Sequence, residues 1–205
     1  MASPNPIAVE SQSRDLGIVL ELARAGDADA FSELYRAYST RLLRQAMALC
    51  GNPALAEELA KDTLVEAWKS LRRYNGRCEF FTWLCAILLN RYHNSIRRNR
   101  FAWFSGHRGD NEFTDALEKL ADEDSWPDHA VEQREQAALV WRCILLLPYK
   151  HQQVIILRFY VDNSMEGIAA ALGCSVGTVK SRLFHALEKL RRMKALQSQR
   201  THLKL

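Results

Sequence analysis

The stretch IAAALGCSVGTVKSRLFHALEKL occupies residues 168–190 and decides the fold class. A short apolar helix ends at Leu172, Gly173 opens the turn Gly173-Cys174-Ser175, and a longer basic helix begins at Val176. Gly suits the left-handed residue that closes a helix, and Ser at the next N-cap satisfies an orphan backbone N–H. In the second helix Val179, Leu183, Ala186, Leu187 and Leu190 recur at helical spacing and form one apolar stripe. Lys180, Ser181, Phe184 and His185 fall on the other side, flanked by Arg182. The pattern matches a helix-turn-helix, with a basic helix that can enter a DNA groove. Lys and Ser reach base edges or phosphates, an aromatic ring meets a thymine methyl, and the helix start at Ser175 faces a phosphate. A solvated basic face on a structural helix pair is the plainer reading of charge alone. The turn, the stripe and the local charge together favour DNA.

That charge is concentrated. The 205 residues carry +4 overall, but residues 1–108 hold +4, residues 109–135 hold −8 and residues 136–205 hold +8. The basic C-terminal third therefore suits a polyanionic partner, and the acidic middle suits a linker. With 48% hydrophobic and 25% charged residues the chain reads as globular. Residues 1–13 have neither the basic start nor the apolar stretch of an export signal. The apolar run from Phe80 to Asn90 is shorter than the roughly 18 residues a membrane span needs. The five cysteines (Cys50, Cys78, Cys85, Cys143, Cys174) are odd in number, form no CxxC and suit a reducing cytoplasm better than a disulfide framework. His93 is too far from Cys85 to suggest a metal site, and no cofactor is expected.

Helical patterning extends upstream, while strand alternation is nearly absent. Asp27 caps a helix carrying Phe31, Leu34, Tyr35, Tyr38, Leu42 and Met47. Gly51 ends it, and Asn52-Pro53 starts another that runs to about Tyr74. A third helix spans about Glu79 to Arg100. The predicted fold class is all-α, with two small helical domains on either side of a flexible acidic linker. The expected boundaries are a tail at 1–14, a domain at 15–100, the linker at 101–130, a helix-turn-helix domain at 131–195 and a tail at 196–205. A short amphipathic helix over Phe113 to Leu120 is an option within the linker.

On the second helix Glu58, Lys61, Asp62, Val65 and Lys69 share a face, with Glu57 beside it. By itself this is an ordinary solvated face. Beyond it, a loop over Asn75, Gly76, Arg77, Cys78 and Glu79 leads to Phe80, Phe81 and Trp83, then to Asn90, Arg91, Tyr92, Asn94, Arg97, Arg98 and Arg100. Aromatics beside a basic helix supply stacking surfaces and a phosphate-attracting track for single-stranded nucleic acid. Such aromatics are also ordinary core residues, and at least two of Phe80, Phe81 and Trp83 are expected in the core.

Three of these stretches together resemble a bacterial RNA polymerase sigma factor of the extracytoplasmic-function group, the minimal two-domain members of the sigma-70 family. Residues 56–68 (AEELAKDTLVEAW) are similar to the family segment that docks on the clamp helices of the beta-prime subunit. Phe81-Thr82-Trp83-Leu84, with Asn90 and Arg97-Arg98, resembles the segment that opens and holds the −10 promoter element. Leu147-Pro148, Ile168-Ala169 and residues 172–183 resemble the −35-reading helix-turn-helix. Lys61 stands where the family usually has glutamine, Asn94 where aspartate is common, Gly167 where glutamate is usual and His185 where arginine is common.

The resemblance implies a non-catalytic specificity subunit that binds polymerase core, through the beta-prime clamp helices and the beta flap, and directs promoter-specific initiation. Glu57, Glu58, Lys61, Asp62 and Val65 would bind core. Asn75, Gly76, Arg77, Phe81, Trp83, Asn90, Arg91, Asn94, Arg97 and Arg98 would serve the −10 element, the Asn75–Glu79 loop receiving a flipped base. Arg158, Ser175, Thr178, Lys180, Ser181, Arg182, Phe184 and His185 would serve the −35 element. The partners implied are core polymerase and promoter DNA, with an anti-sigma factor common in the group; membrane insertion and a small-molecule substrate are not. Thr63, beside the docking face, offers a hydroxyl for phosphorylation. No Walker loop, GxSxG, HExxH or shared-face carboxylate pair for metal occurs, which argues against an enzyme with an appended DNA-binding domain. A stand-alone helix-turn-helix regulator is the alternative, and the aromatic-basic helix argues against it.

Overall fold

The computed structural model describes the backbone of residues 6–103, 137 and 139–202, with side chains over 16–97, 137 and 139–193. The expected linker beyond residue 103 and its optional helix at 113–120 lie outside the described residues, as do residues 131–136 at the start of the expected helix-turn-helix domain.

Four helices build the N-terminal half: α1 (Pro6–Ala25), α2 (Ala28–Cys50), α3 (Pro53–Ser70) and α4 (Phe80–Trp103), with a 3-10 turn at Leu71–Arg73. Local chemistry sets the boundaries. Asp27 accepts from the N–H groups of Asp29 and Ala30, which starts α2; Gly51 at φ 65° closes it. Asn52 then accepts from Leu55 N–H, with Pro53 entering α3 directly behind it. Residues 6–14, expected as a tail, are the start of α1, and Leu16, Val19, Leu20 and Ala23 pack onto the core.

The buried residues of α3 are Ala56, Leu59, Ala60, Thr63, Leu64 and Ala67, an uninterrupted stripe at helical spacing. On α4, Phe81, Leu84, Cys85, Leu88, Leu89 and Tyr92 repeat the pattern. These stripes meet Leu34, Leu42, Ala46 and Leu49 of α2 in the core. Each fully buried leucine contributes about 1.5–3 kcal/mol relative to exposure. Tyr35, on the same helix, is 42% exposed.

The C-terminal half comprises helical residues 139–145, then α5 (Tyr149–Phe159), α6 (Met165–Leu172) and α7 (Val176–His202). Val154 to Leu157 are all buried, so α5 is the central element of this half. Gly173 at φ 62° ends α6 in a Schellman arrangement: its N–H donates to Ala170 O and the Cys174 N–H donates to Ala169 O. α7 continues to His202, past the domain end expected at 195. Beyond their own halves, α5 and α6 pack against α4.

Candidate nucleic-acid and polymerase interfaces

The turn and stripe of α6 and α7 position the first surface. Val179 and Ala186 are fully buried, and Leu183, Leu187 and Leu190 pack partly against the core, which directs the opposite side of α7 outward. There Lys180, Ser181 and His185 are exposed, and Phe184 is 65% exposed. An aromatic ring so exposed meets His185 edge-on at 5.5 Å and leaves most of its surface free of the described residues. Ser175 Oγ accepts from the Thr178 N–H at 3.1 Å and shares a hydrogen bond with Thr178 Oγ1. These two therefore order the start of α7. Arg182 is half-buried, with Nη1 4.0 Å from Cys174 Sγ, and Arg158 donates to Asn163 O at 2.7 Å. Arg158 thus holds the turn into α6, a turn that also takes Asp162 to φ 55°. His151 lies behind His185, ring centroids 6.3 Å apart. Its pKa is held below the ordinary histidine value, chiefly by burial and then by Lys189, His185 and Arg182.

The second surface is the outer face of α3. Glu57, Glu58, Lys61 and Val65 are exposed and Asp62 is half-buried, while Lys61 pairs with Glu57 at 3.1 Å. Trp68 continues the face, 36% exposed and leaning on Phe31 at 4.8 Å. Thr63 is on the wrong side of the helix for a switch. It is fully buried and its Oγ donates to Leu59 O at 2.7 Å, so the folded chain offers no phosphorylation site there.

The third surface joins the loop after the 3-10 turn to the outer face of α4. Asn75, Gly76 and Arg77 are exposed, Gly76 sits at φ 70°, and the Arg77 N–H donates to Asn75 Oδ1 at 3.1 Å. Tyr74 pins the loop by donating its hydroxyl to Cys78 O, and burial pushes its pKa up to about 12. Trp83, half-buried, packs against Tyr74 and Phe80 at 5.3 and 5.6 Å. A cleft of about 470 Å³ opens there, walled by Trp83, Ile87, Asn90, Arg91 and Asn94 of α4 and by Glu66, Ser70 and Arg73. Across it Arg91 pairs with Glu66 at 2.5 Å. Arg97 is exposed, and the Arg98 side chain lies outside the described residues.

Phe81 is a correction. Expected among the DNA contacts, it is 2% exposed in the core, with the Arg41 guanidinium 3.7 Å above its ring. Phe80 is buried with it, so two of the three aromatics are core and Trp83 faces the cleft. Two side chains from the other half also reach this surface. Tyr149 donates its hydroxyl to Asn90 Oδ1 and Gln153 lies beside them, neither marked by any local motif.

Comparison with known proteins shows the family. Residues 34–102 match the Sigma-70 region 2 family, and residues 137–190 match Sigma-70 region 4. The RNA polymerase sigma-H factor of Pseudomonas aeruginosa is 31% identical over 91% of this chain and 96% of its own. The chain belongs to the extracytoplasmic-function group of the sigma-70 family. The ECF RNA polymerase sigma factor SigW of Bacillus subtilis is 26% identical, covering 84% of this chain and 93% of that one. The solved structure of CnrH in complex with the cytosolic domain of CnrY shares the fold, at a TM-score of 0.56 and 22% identity over 87% of this chain and 96% of that one. As a sigma factor the protein is a non-catalytic subunit of RNA polymerase that directs promoter-specific initiation of transcription. Among its described residues no helix is long and apolar enough to cross a membrane.

Proposed function

We propose that the three surfaces divide the work of this sigma factor. The outer face of α3, with Glu57, Glu58, Lys61, Asp62 and Val65, docks on basic residues of the polymerase clamp. The loop at Asn75–Arg77 and the outer face of α4, with Trp83, Asn90, Arg91, Asn94, Arg97 and Arg98, hold the opened −10 element. Lys180, Ser181, Phe184 and His185 read the −35 major groove, while Ser175, Thr178, Arg158 and Arg182 set the angle of the reading helix and approach phosphates. Flipping a base into the loop costs a few kcal/mol of stacking, which contacts in the opened complex must offset. The roughly 30 residues of the acidic linker reach on the order of 100 Å when extended, enough to place the two domains on separate promoter elements. The −8 charge of residues 109–135 keeps that stretch off DNA. The protein works in the cytoplasm, and an anti-sigma factor is its expected inhibitor.

The observation that carries this reading is the outward face of α7. Four polar or aromatic side chains stand exposed on it, directly opposite fully buried Val179 and Ala186. The test is a gel shift on promoter duplex with and without core polymerase. Tight, promoter-specific binding that needs core supports it. Equally tight binding by the protein alone favours the stand-alone regulator instead.

A further inference from the structure

His185 stands exposed on the outward side of α7, and among the described residues nothing pairs with it or hydrogen-bonds to its ring. Two rings frame it. Phe184 meets it edge-on at 5.5 Å, and His151 of α5 lies behind it, with centroids 6.3 Å apart and planes 29° from parallel. His151 is half-buried, and its Nδ1 is buried without a hydrogen-bond partner among the described residues. A proton on that nitrogen would be a buried donor with no acceptor. Burial first, then the charges of Lys189, His185 and Arg182, hold its pKa below the ordinary histidine value. His151 is therefore the neutral ring of the pair at neutral pH. The surroundings are cationic. Arg182 lies one turn before His185 on α7 and Lys189 one turn after it. Glu188, also one turn on, is engaged by Arg192 at 3.1 Å. Of the other helices packed against α5, α6 carries Glu166 in its first turn, and α4 presents His93, stacked on Tyr149, with Arg97 acting on it. None of these three is among the charges that act on His151.

We propose that −35 recognition is proton-linked: His185 gains a proton as it meets DNA, His151 stays neutral behind it, and promoter binding strengthens as pH falls. The proposal rests on the −35 reading above. An imidazole changes charge between about pH 5 and 8, so the reading face approaches DNA with one charge undecided. A neutral ring donates one hydrogen bond, and an imidazolium donates two. Phosphates, and the N7 and O6 acceptors of guanine, all favour the second form. The charged ring is therefore more populated in the complex than in the free protein, and association takes up a proton. The sign follows from that uptake. Raising the pH withdraws the proton that the complex prefers, so affinity falls as pH rises through the histidine range. A difference of about one pKa unit between free and bound states gives at most about tenfold. His151 limits the uptake to one proton, because a second charge 6.3 Å away, on a ring with a buried and unpartnered Nδ1, has nothing to offset it. An arginine at residue 185, the family's common choice, would be charged throughout and would carry no such dependence.

The test is a titration of fluorescent promoter duplex with holoenzyme, made from the full-length protein and purified core, at about pH 6, 7 and 8. One salt concentration is kept throughout, because phosphate contacts are salt-dependent. The parent should bind about five- to tenfold more tightly at pH 6 than at pH 8. His185→Arg, charged at every pH used, should bind at pH 8 about as tightly as the parent does at pH 6. Comparison with this variant cancels any titration within core itself. His151→Gln should keep the parent's profile, because the proton sits on His185. A parent profile no steeper than that of His185→Arg would overturn the proposal, and so would loss of the profile in His151→Gln. His185→Ala separates the linkage from the −35 reading. Affinity equal to the parent's at every pH would refute His185 as a reading residue and the linkage with it. Weaker binding than the parent at pH 6, beside a flat parent profile, would refute the linkage alone.

Discussion

Lys180→Ala/His185→Ala and Val179→Ala remove side chains from opposite sides of one helix, and they should fail in different ways. Lys180 and His185 are exposed, so their loss leaves stability within about 0.5 kcal/mol of the parent. Val179 is fully buried in the stripe that seats α7. Truncating it removes two buried carbons, worth about 1.6 kcal/mol in transfer before any cavity cost is added. For a unit of this size that corresponds to a fall in Tm of about 4–8 °C per kcal/mol. A good base contact contributes about 1–3 kcal/mol, or roughly 5- to 150-fold in affinity. Lys180 and His185 are neighbours on one helix, so their energies need not add; the double variant should lose at least about tenfold on the −35 element. Thermal melting, a core pull-down and titration of promoter duplex with holoenzyme separate the two classes. The double variant should melt normally, bind core normally and bind promoter poorly. A Tm loss equal to that of Val179→Ala, or unchanged promoter binding, would refute the assignment of the outward face.

Other perturbations probe the scaffold. Leu84→Ala empties a fully buried site in the core around α4 and should cost about 2–5 kcal/mol, read as an earlier urea midpoint with unchanged slope. Gly173→Ala forces a side chain into the left-handed region at φ 62° and should cost about 1–2 kcal/mol, detected by melting. Burial holds the Cys85 thiol up at about 12, so iodoacetamide at pH 8 should label half-exposed Cys174 well before Cys85, as mass spectrometry would show.

Much of the fold is legible locally because caps and turns are short-range chemistry. Asp27, Gly51, Asn52-Pro53 and the turn at Gly173 each mark a boundary that backbone hydrogen bonding requires. The helix-turn-helix face is legible for the same reason: the stripe through Val179 and Ala186 leaves only one side free. Thr63 and Phe81 are instructive misreadings. Both fall in register with buried stripes (Ala56, Leu59, Ala60, Leu64, Ala67 and Leu84, Cys85, Leu88, Leu89), so helical period places them in the core, while residue type suggested a surface role. The start of α1 at Pro6 precedes the domain boundary expected at residue 15, although Asn5-Pro6 repeats the Asn-Pro pair that opens α3. The meeting of Asn90 with Tyr149 is not legible at all. The partners are 59 residues apart, and a polar pair at that separation leaves no periodic trace.

The central claim is that two helical domains of one chain give polymerase its promoter choice. Run-off transcription with purified core and a matching promoter template measures this directly. The account predicts a discrete transcript only when both protein and core are present, lost in Lys180→Ala/His185→Ala and retained in Tyr149→Ala. A core enzyme whose products are the same with and without the protein, across a full titration, would contradict it.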